Sequence, residues 1–288
     1  MIRTLPRARS YDWLYRAYMI AFYTYLFAPL LVTAALAFND SQFPSLPWQG
    51  FTLEWFTGDA FPRVGFFHAE RLLDSLVTSV EVAVFVSLLS VVVGTTTAFL
   101  FEQEEFPFKS WLYFLMLAPL VIPGVILGIS ILAFANTLGL YVEDTFGVDV
   151  PLLRPGFWLV VLGQFSFICT LATLMIAARL KKFDRTLEEA AMNLGANRFR
   201  VIVRITLPFL RPAWLSAAVV AFLMSFENFN TTLFLVGSDP TFPIMLYQEV
   251  RDGISPVINA ASFVLILTTA VFAVVALLLG RPPKEGRP

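Results

Sequence analysis

One carboxylate inside an apolar stretch has the clearest chemistry in this chain. Glu227 lies in "SFENFNTTLF" next to Asn228, with Phe226 and Phe229 close by. A charged group at membrane depth is costly unless it faces a cavity or a partner, so it is a functional candidate. Carboxylate, amide and aromatic groups together suit an ammonium ligand, through charge pairing and cation–π attraction. These residues predict a pathway for a small organic cation, and the alternative for Glu227 is a structural pair with a partner subunit. A second carboxylate, Glu81, either belongs to this pathway or reaches the outer surface of the membrane.

Other kinds of site find no support in the residue types. The single cysteine, Cys169, has no partner for a disulfide or a thiolate metal site. The single histidine, His68, lies in a polar loop, where a solvated side chain is expected. The chain has no G-x(4)-G-K-[ST] phosphate loop, no nucleophile–base set and no basic surface for nucleic acid. We therefore expect no catalytic residue, no metal, no cofactor bound by this chain and no nucleic-acid partner.

The basic loop 179–211 is the second feature that differs from its apolar surroundings. Thr186 followed by Glu189 predicts a capping box at a helix start, and Gly195 predicts the left-handed residue that ends this helix. The apolar stripe of the helix has the spacing i, i+3, i+4, i+7 and consists of Leu187, Ala190, Ala191 and Leu194. A second short helix is predicted by Phe199, Ile202 and Val203, and it runs into Leu207 and Pro208. Such a loop suits either the anionic inner leaflet or a protein partner.

The elements that carry these residues are predicted to be membrane helices. The chain is 58% hydrophobic and 14% charged, with mean hydropathy +0.74, whereas a soluble domain is about 25% charged. Six segments are long and apolar enough to span a bilayer, at 17–38, 76–100, 112–138, 157–178, 213–236 and 256–279. We expect the first to be a retained span rather than a signal peptide. The third contains the helix-bending residues Pro119, Pro123, Gly124 and Gly128, for which we expect a role in packing, with gating as the alternative.

The distribution of Lys and Arg predicts the orientation. With a cytoplasmic N-terminus, the inner segments hold 16 basic residues and the outer segments hold four. One inner loop disagrees, because "FEQEEFPFK" (101–109) has three glutamates and one lysine. The prediction is an all-α integral membrane protein with six transmembrane helices and both termini in the cytoplasm. Its parts are an N-terminal segment 1–16, a membrane domain 17–280 and a tail 281–288.

The amino-acid sequence of the basic loop resembles the signature of a known family. Glu189-Ala190-Ala191, three residues, Gly195, nine residues and then Ile205-Thr206-Leu207-Pro208 resembles the EAA signature of ABC importer permeases, with every fixed position in agreement. The resemblance implies that the loop is a coupling element. It would dock in a cleft of a cytoplasmic ATPase through Glu189, Ala190, Ala191, Gly195, Ile205, Leu207 and Pro208. ATP and Mg would then be used by that partner and not by this chain.

Further segments extend the resemblance over nearly the whole chain. "LLVTAALAFNDSQF", "MLAPLVIPGVILGISIL" and "DGISPVINAASFVLI" are similar to the second permease subunit of spermidine/putrescine importers. This implies a type I importer fold in a bacterial inner membrane. Its partners would be a second permease, two ATPase copies, a periplasmic substrate-binding protein and membrane lipid. Polyamine permeases tend to have adjacent aspartates where this chain has Glu227-Asn228, which favours a cation with less charge or different spacing. Relatives of this type carry other cargoes, so an amino-acid derivative, a betaine-like compound or iron is the alternative. A secondary transporter driven by an ion gradient leaves the EAA loop unexplained, and a membrane scaffold without transport leaves Glu227 unexplained.

Overall fold

The computed structural model describes residues 9–279, apart from Ser45, Pro62 and Ile254. The predicted tail 281–288 and the first half of segment 1–16 lie outside the described residues. The chain divides into two compact units. One consists of the residues up to Leu73 and from Leu246 onward, and the other runs from Asp74 to Met245.

The first unit is built on two long helices and a compact segment between 38 and 68. Helix α1 (Arg9–Leu36) packs against helix α12 (Val257–Leu279). The segment after α1 contains helix α2 (Glu54–Thr57), the hairpin β1 (Asp59–Ala60) and β2 (Arg63–Val64), and a 3-10 turn (Phe66–His68). Four aromatic rings join this segment to α12, with centroids 5.1–5.9 Å apart: Phe38, Phe51, Phe56 and Phe263.

Polar contacts make segment 38–68 an ordered structure rather than an open loop. The Asn39 side chain accepts a hydrogen bond from Gln49 N at 2.8 Å, and the Asn39 carbonyl accepts one from the buried Trp55 indole at 2.8 Å. Arg63 forms ion pairs with Asp40 at 2.8 Å and Glu54 at 2.5 Å.

The second unit has α6 at its centre. Helix α6 packs against α9 and contributes more buried apolar side chains than any other helix of this unit in the described part of the chain, among them Leu159, Val160, Val161 and Ile168. Gly163 gives space to Leu235, because a Cβ at Gly163 would lie 2.2 Å from the Leu235 Cδ1 atom. Small residues at such crossings allow membrane helices to approach closely. Two short helical turns, Pro151–Leu153 (3-10) and Ile202–Thr206 (π), accompany the α-helices of this unit. The helices that lie mainly in this unit are α3 (Glu70–Gln103), α4 (Lys109–Val121), α5 (Gly124–Phe146), α6 (Phe157–Leu180), α7 (Thr186–Asn193), α8 (Arg198–Val201), α9 (Leu207–Phe226) and α10 (Thr232–Leu235). Helix α11 (Phe242–Asp252) contains the boundary between the two units.

Five helices in the described part of the chain are long and apolar enough to cross a membrane. They are Tyr11–Leu36, Glu70–Gln103, Gly124–Phe146, Phe157–Leu180 and Arg198–Phe226. Helix α12 has 23 residues in the position of the predicted span 256–279. Its side chains are described only as far as Val271.

Two predicted spans are wrong as continuous helices. The segment 112–138 is broken, because α4 ends at Val121 and α5 begins at Gly124. Pro123 lacks an N–H and disfavours helical geometry in the residue before it, and Ile122 is accordingly extended at φ −74° and ψ 127°. The segment 213–236 is interrupted as well, because α9 ends at Phe226 and the chain becomes helical again only at Thr232.

Candidate functional site

The start of α7 differs from the predicted capping box. Thr186 is the first helical residue and not the cap, and its N–H and hydroxyl donate to the Asp184 carboxylate at 3.0 and 2.8 Å. The hydrogen bond from the Thr186 hydroxyl, followed by that from its N–H, lowers the pKa of Asp184. Glu189 has no capping contact, whereas the neighbouring Glu188 accepts a hydrogen bond from the Thr206 hydroxyl at 2.5 Å. The carboxylate that caps the helix therefore lies two residues before the predicted cap.

The end of α7 confirms the conformation predicted for Gly195. This glycine has φ +88° and follows the C-cap residue Leu194. Gly195 N–H donates to the Met192 carbonyl at 2.9 Å, and Ala196 N–H donates to the Ala191 carbonyl at 3.0 Å. This pair of bonds is a Schellman motif, which requires a left-handed residue at this point. A Cβ built on Gly195 would have no atom within 4 Å, so the glycine is needed for its backbone angle and not for space within this chain.

The predicted apolar stripe of α7 is helical but largely uncovered within this chain. Leu187 is 52% exposed and Leu194 is 90% exposed. Glu189 and Ala190 are exposed as well, and Ala191 is half-buried. An apolar helix face of this kind would be covered in an assembly, because isolated eight-residue helices are marginal in water.

The second half of the loop is anchored to the core. The predicted second helical stretch is present as α8 and runs into Leu207 as expected, because α8, the π turn and α9 follow each other directly from Arg198 to Phe226. Asn197 caps this long helix by accepting a hydrogen bond from Arg200 N at 2.8 Å. Ile205 packs against a cluster that includes Ala177 and Leu210, whereas Phe199 is exposed. Leu207 and Pro208 are half-buried at the start of α9.

A buried polar network surrounds the interruption after α9. Gln164 on α6 is fully buried, and its amide nitrogen donates to the Thr232 hydroxyl at 2.8 Å. The Ser225 hydroxyl donates to the Gln164 amide oxygen. The Asn228 amide oxygen accepts from the Thr232 hydroxyl at 2.9 Å and from Thr232 N at 3.2 Å. Side-chain hydrogen bonds from α6 and α10 therefore stabilise the non-helical backbone of this interruption.

The two helix interruptions lie next to each other. A Cβ at Gly128 would lie 2.7 Å from the Thr231 carbonyl oxygen, and a Cβ at Gly124 would lie 3.1 Å from the Asn230 Cβ. The first turns of α5 thus pack directly on the non-helical residues after α9. This confirms the packing role predicted for the glycines of the third span. Irregular backbone at membrane depth requires protein packing or a water-filled cavity.

The comparisons with known proteins decide the family. Residues 87–281, more than half of the chain, match the family described as "Binding-protein-dependent transport system inner membrane component". The chain belongs to this family.

Relatives with named roles match nearly the whole permease. It is 27% identical over 270 residues to the spermidine/putrescine transport system permease protein PotC of Escherichia coli (strain K12), covering 93% of this chain and 94% of that protein. It is 28% identical over 287 residues to the putrescine transport system permease protein PotI of the same strain, covering 99% and 96%. The permease is an inner-membrane transport component of the PotC/PotI type, and this family is not one of enzymes.

A solved structure confirms the fold class of the permease. One chain of the crystal structure of a bacterial ABC transporter involved in the import of the acidic polysaccharide alginate aligns with a TM-score of 0.68. The alignment covers 97% of the permease and 98% of that chain at 11% identity. The permease therefore has the mostly helical fold of an ABC importer permease.

The residues expected to form the pathway differ in exposure and in their contacts. Glu227 is the C-cap of α9 and is exposed, and the ring of Phe226 stacks on Phe222 with centroids 6.1 Å apart. Phe229 is half-buried in the interruption. Glu81 is exposed on α3, and no hydrogen bond or ion pair joins it to Glu227 in the part of the chain that the structure describes. Sequence reasoning missed Gln164, whose only sequence signal is a lone amide in the apolar run "FWLVVLGQFSF".

Proposed function

We propose that this chain is one of two permease subunits of an ATP-driven importer and forms half of its pathway for a small organic cation of the polyamine type. The named relatives, which transport spermidine and putrescine, support this cargo. The observation that carries the proposal is the environment of the Glu227 carboxylate. Its carboxylate is exposed at a helix interruption and has no hydrogen-bond or ion-pair partner among the described residues, whereas the polar groups behind it bond to each other.

The surroundings of Glu227 favour a cation over an anion. Helix α9 ends at Phe226, so its last carbonyl groups point towards Glu227 and Asn228. The carboxyl end of a helix has a partial negative charge, which adds to the charge of the carboxylate. The Asn228 oxygen already accepts two hydrogen bonds from Thr232, so the carboxylate is the main remaining acceptor for an ammonium group.

The exposed half of loop 179–211 is the proposed contact with the ATPase. Helix α7 presents the apolar stripe and Glu189 outward, while Ile205 and Pro208 fix the other half of the loop to the α9 end. A protein cleft that covers α7 gains apolar area, and the anchored half passes its movement to α9. The ATPase, in two copies, supplies ATP and Mg chemistry. A second permease and a periplasmic substrate-binding protein complete the assembly in the lipid membrane.

The proposed topology keeps six spans with both termini in the cytoplasm. Helices α4 and α5 together form one broken pass, and α12 forms the last. Segments 1–16 and 281–288 flank the membrane domain 17–280 on the cytoplasmic side. This arrangement leaves loop 179–211 on the side of the ATPase, as the excess of basic residues requires.

Two substitutions at Glu227 test the pathway. Glu227→Gln keeps shape and hydrogen bonding but deletes the charge, whereas Glu227→Asp keeps the charge and shortens the reach. Loss of one charge-assisted bond costs about 1.5–3 kcal/mol, or roughly ten- to a hundredfold in uptake of labelled spermidine or putrescine at limiting concentration. We expect Glu227→Asp to lose less. Basal ATP hydrolysis and assembly with the subunits that co-purify should be normal in both variants.

The outcomes separate the pathway from the alternatives. If Glu227 only pairs with the second permease, both variants assemble poorly, and ATP hydrolysis falls in step with uptake. If another cargo is carried, spermidine and putrescine fail to compete with it. A well-assembled Glu227→Gln complex with normal uptake would contradict the proposal.

A further inference from the structure

The acidic segment 102–105 contacts the basic loop through side chains. Glu102 lies in the last turn of α3, and its carboxylate is 3.3 Å from Lys181 Nζ. The Arg185 guanidinium donates to the Glu102 carbonyl at 2.5 Å. Arg198 Nη2 is 2.6 Å from the Glu104 carboxylate. These three contacts join residues on both sides of α7 to the same end of α3.

The pairing explains why an inward loop is acidic. The predicted orientation places three glutamates of "FEQEEFPFK" on the basic side of the membrane. Glu102 pairs with Lys181, Glu104 with Arg198, and Glu105 with Lys109 at 2.8 Å. The first two pairs reach loop 179–211, and the third stays within its own segment.

Apolar and polar contacts hold the loop to α3 at different points. Phe183, before α7, is buried in a cluster with Ala98 of α3. A cavity of about 290 Å³ lies between the end of α3 and the start of the loop, and Gln103, Glu188 and Met192 are among its lining residues. Beside this cavity, the polar contacts of Glu102 and Glu104 tie the residues that flank α7 to the end of α3. The Glu188–Thr206 hydrogen bond ties α7 to the π turn on its other side.

Helix α3 leads from this contact to the candidate pathway. Its 34 residues span about 50 Å. The Ser87 hydroxyl of α3 donates to the Ala218 carbonyl of α9 at 2.9 Å, so the two helices are joined again within the apolar region. Glu81 lies on α3, and Glu227 ends α9.

We propose that Glu102 and Glu104 are positioning residues that clamp loop 179–211 to the end of α3, so that movement of α7 is passed to α3 as well as to α9. This inference rests on the proposed coupling role of the loop. Exposed ion pairs contribute little to stability, and the pairs here are partly exposed, with Glu102 the most buried member at 16%. Their effect is therefore on the orientation of α7 rather than on folding.

A charge swap tests the clamp. Glu104→Arg and Arg198→Glu each place like charges together, and the double variant restores an opposite pair in reverse order. The matched control is the swap of Glu105 and Lys109, a pair that does not reach the loop. A nitroxide on a cysteine at Asn193, in a Cys169→Ala background, reports the mobility of the loop without any need for activity. Asn193 suits the label because it is exposed and lies outside the apolar stripe of α7.

The expected result has two parts. Each single variant raises nitroxide mobility and lowers the number of substrate molecules taken up per ATP hydrolysed, by about fivefold at most for a partly exposed pair. The double variant restores both quantities, and the Glu105/Lys109 swap changes neither. Normal mobility in the single variants, or no recovery in the double variant, would overturn the clamp.

A further variant tests the proposed coupling role of the loop separately from the ion pairs. Gly195→Val perturbs the coupling loop without touching the ion pairs. If this variant loses stimulated ATP hydrolysis while the charge variants behave like the unmodified chain, the coupling role stands and the clamp is refuted. If mobility responds to the charge variants but Gly195→Val transports normally, the coupling role fails, and with it the functional part of the clamp.

Discussion

Substitutions at Gly195 separate two roles of the same residue. The backbone there has φ +88°, and the two hydrogen bonds of the Schellman motif depend on it. A left-handed conformation costs an ordinary L-residue about 1–2 kcal/mol, which corresponds to roughly five- to thirtyfold in a local equilibrium. Because no atom lies within 4 Å of the Cβ position, no clash inside this chain adds to that cost. Gly195→Val should therefore insert and fold, but populate the ordered end of α7 much less.

Asparagine distinguishes backbone strain from contact with a partner. Gly195→Asn tolerates the left-handed angle better than other side chains, yet it adds bulk at the surface. If the glycine is needed only for the turn, Gly195→Asn keeps most of the uptake that Gly195→Val loses. If the ATPase approaches the glycine closely, both variants lose uptake and stimulated ATP hydrolysis.

Gly147 provides the matched control. It is the C-cap of α5 with φ +65°, and its Cβ position is also free of atoms within 4 Å. Gly147→Val has a similar backbone cost outside the coupling loop, so it should lower thermal stability but leave the ratio of uptake to ATP hydrolysis unchanged. Full uptake and full stimulation in Gly195→Val would refute the coupling role assigned to this turn.

Three further predictions concern the core, the helix interruption and the topology. Gln164→Leu removes the acceptor of the buried Ser225 hydroxyl, whereas the Thr232 hydroxyl keeps its bond to Asn228. At about 1–3 kcal/mol for one unsatisfied buried group, the thermal midpoint in detergent should fall; an unchanged midpoint would contradict the network. Gly128→Ala places a Cβ 2.7 Å from a backbone oxygen, whereas the same change at Gly139 meets an ordinary contact at 3.6 Å, so we expect only the former to lower the yield of folded protein. A cysteine at Asn197, in a Cys169→Ala background, should resist an impermeant thiol reagent in sealed cells, and its labelling would overturn the orientation.

The helical stripe and the glycine turn of the basic loop were predictable because both are local. The spacing of Leu187 and Ala191 sets the face of α7, and Gly195 is the residue type that a left-handed helix end favours. The cap was misplaced for a local reason as well. Asp184 and Thr186 are both capping residues, and only the structure shows that the carboxylate of Asp184 bonds to Thr186.

The helix interruptions and the buried network were not predictable from apolar patterning. Hydropathy averages over about 20 residues, so Ile122 and Pro123 disappear within a long apolar segment. Gln164 has hydrogen-bond partners 61 and 68 residues away, and no local sequence pattern predicts such pairs. The same holds for Glu104 and Arg198, which are 94 residues apart. Long-range polar contacts decide where these helices end and how the loop is held.

The π turn at Ile202–Thr206 sets the rotation about the helix axis between the basic loop and the part of α9 that contacts the polar network. A π turn contains one residue more than an α turn, and each residue of an α-helix turns the chain by about 100°. Deleting one residue from this turn would shorten the chain only slightly, yet it would rotate the side chains of α9 relative to α8 by that angle. Because α9 is held on α6, where Ser225 bonds to Gln164, this rotation would fall on α8 and the loop before it. The length of the turn therefore sets the direction in which the loop faces, as well as its distance from the core.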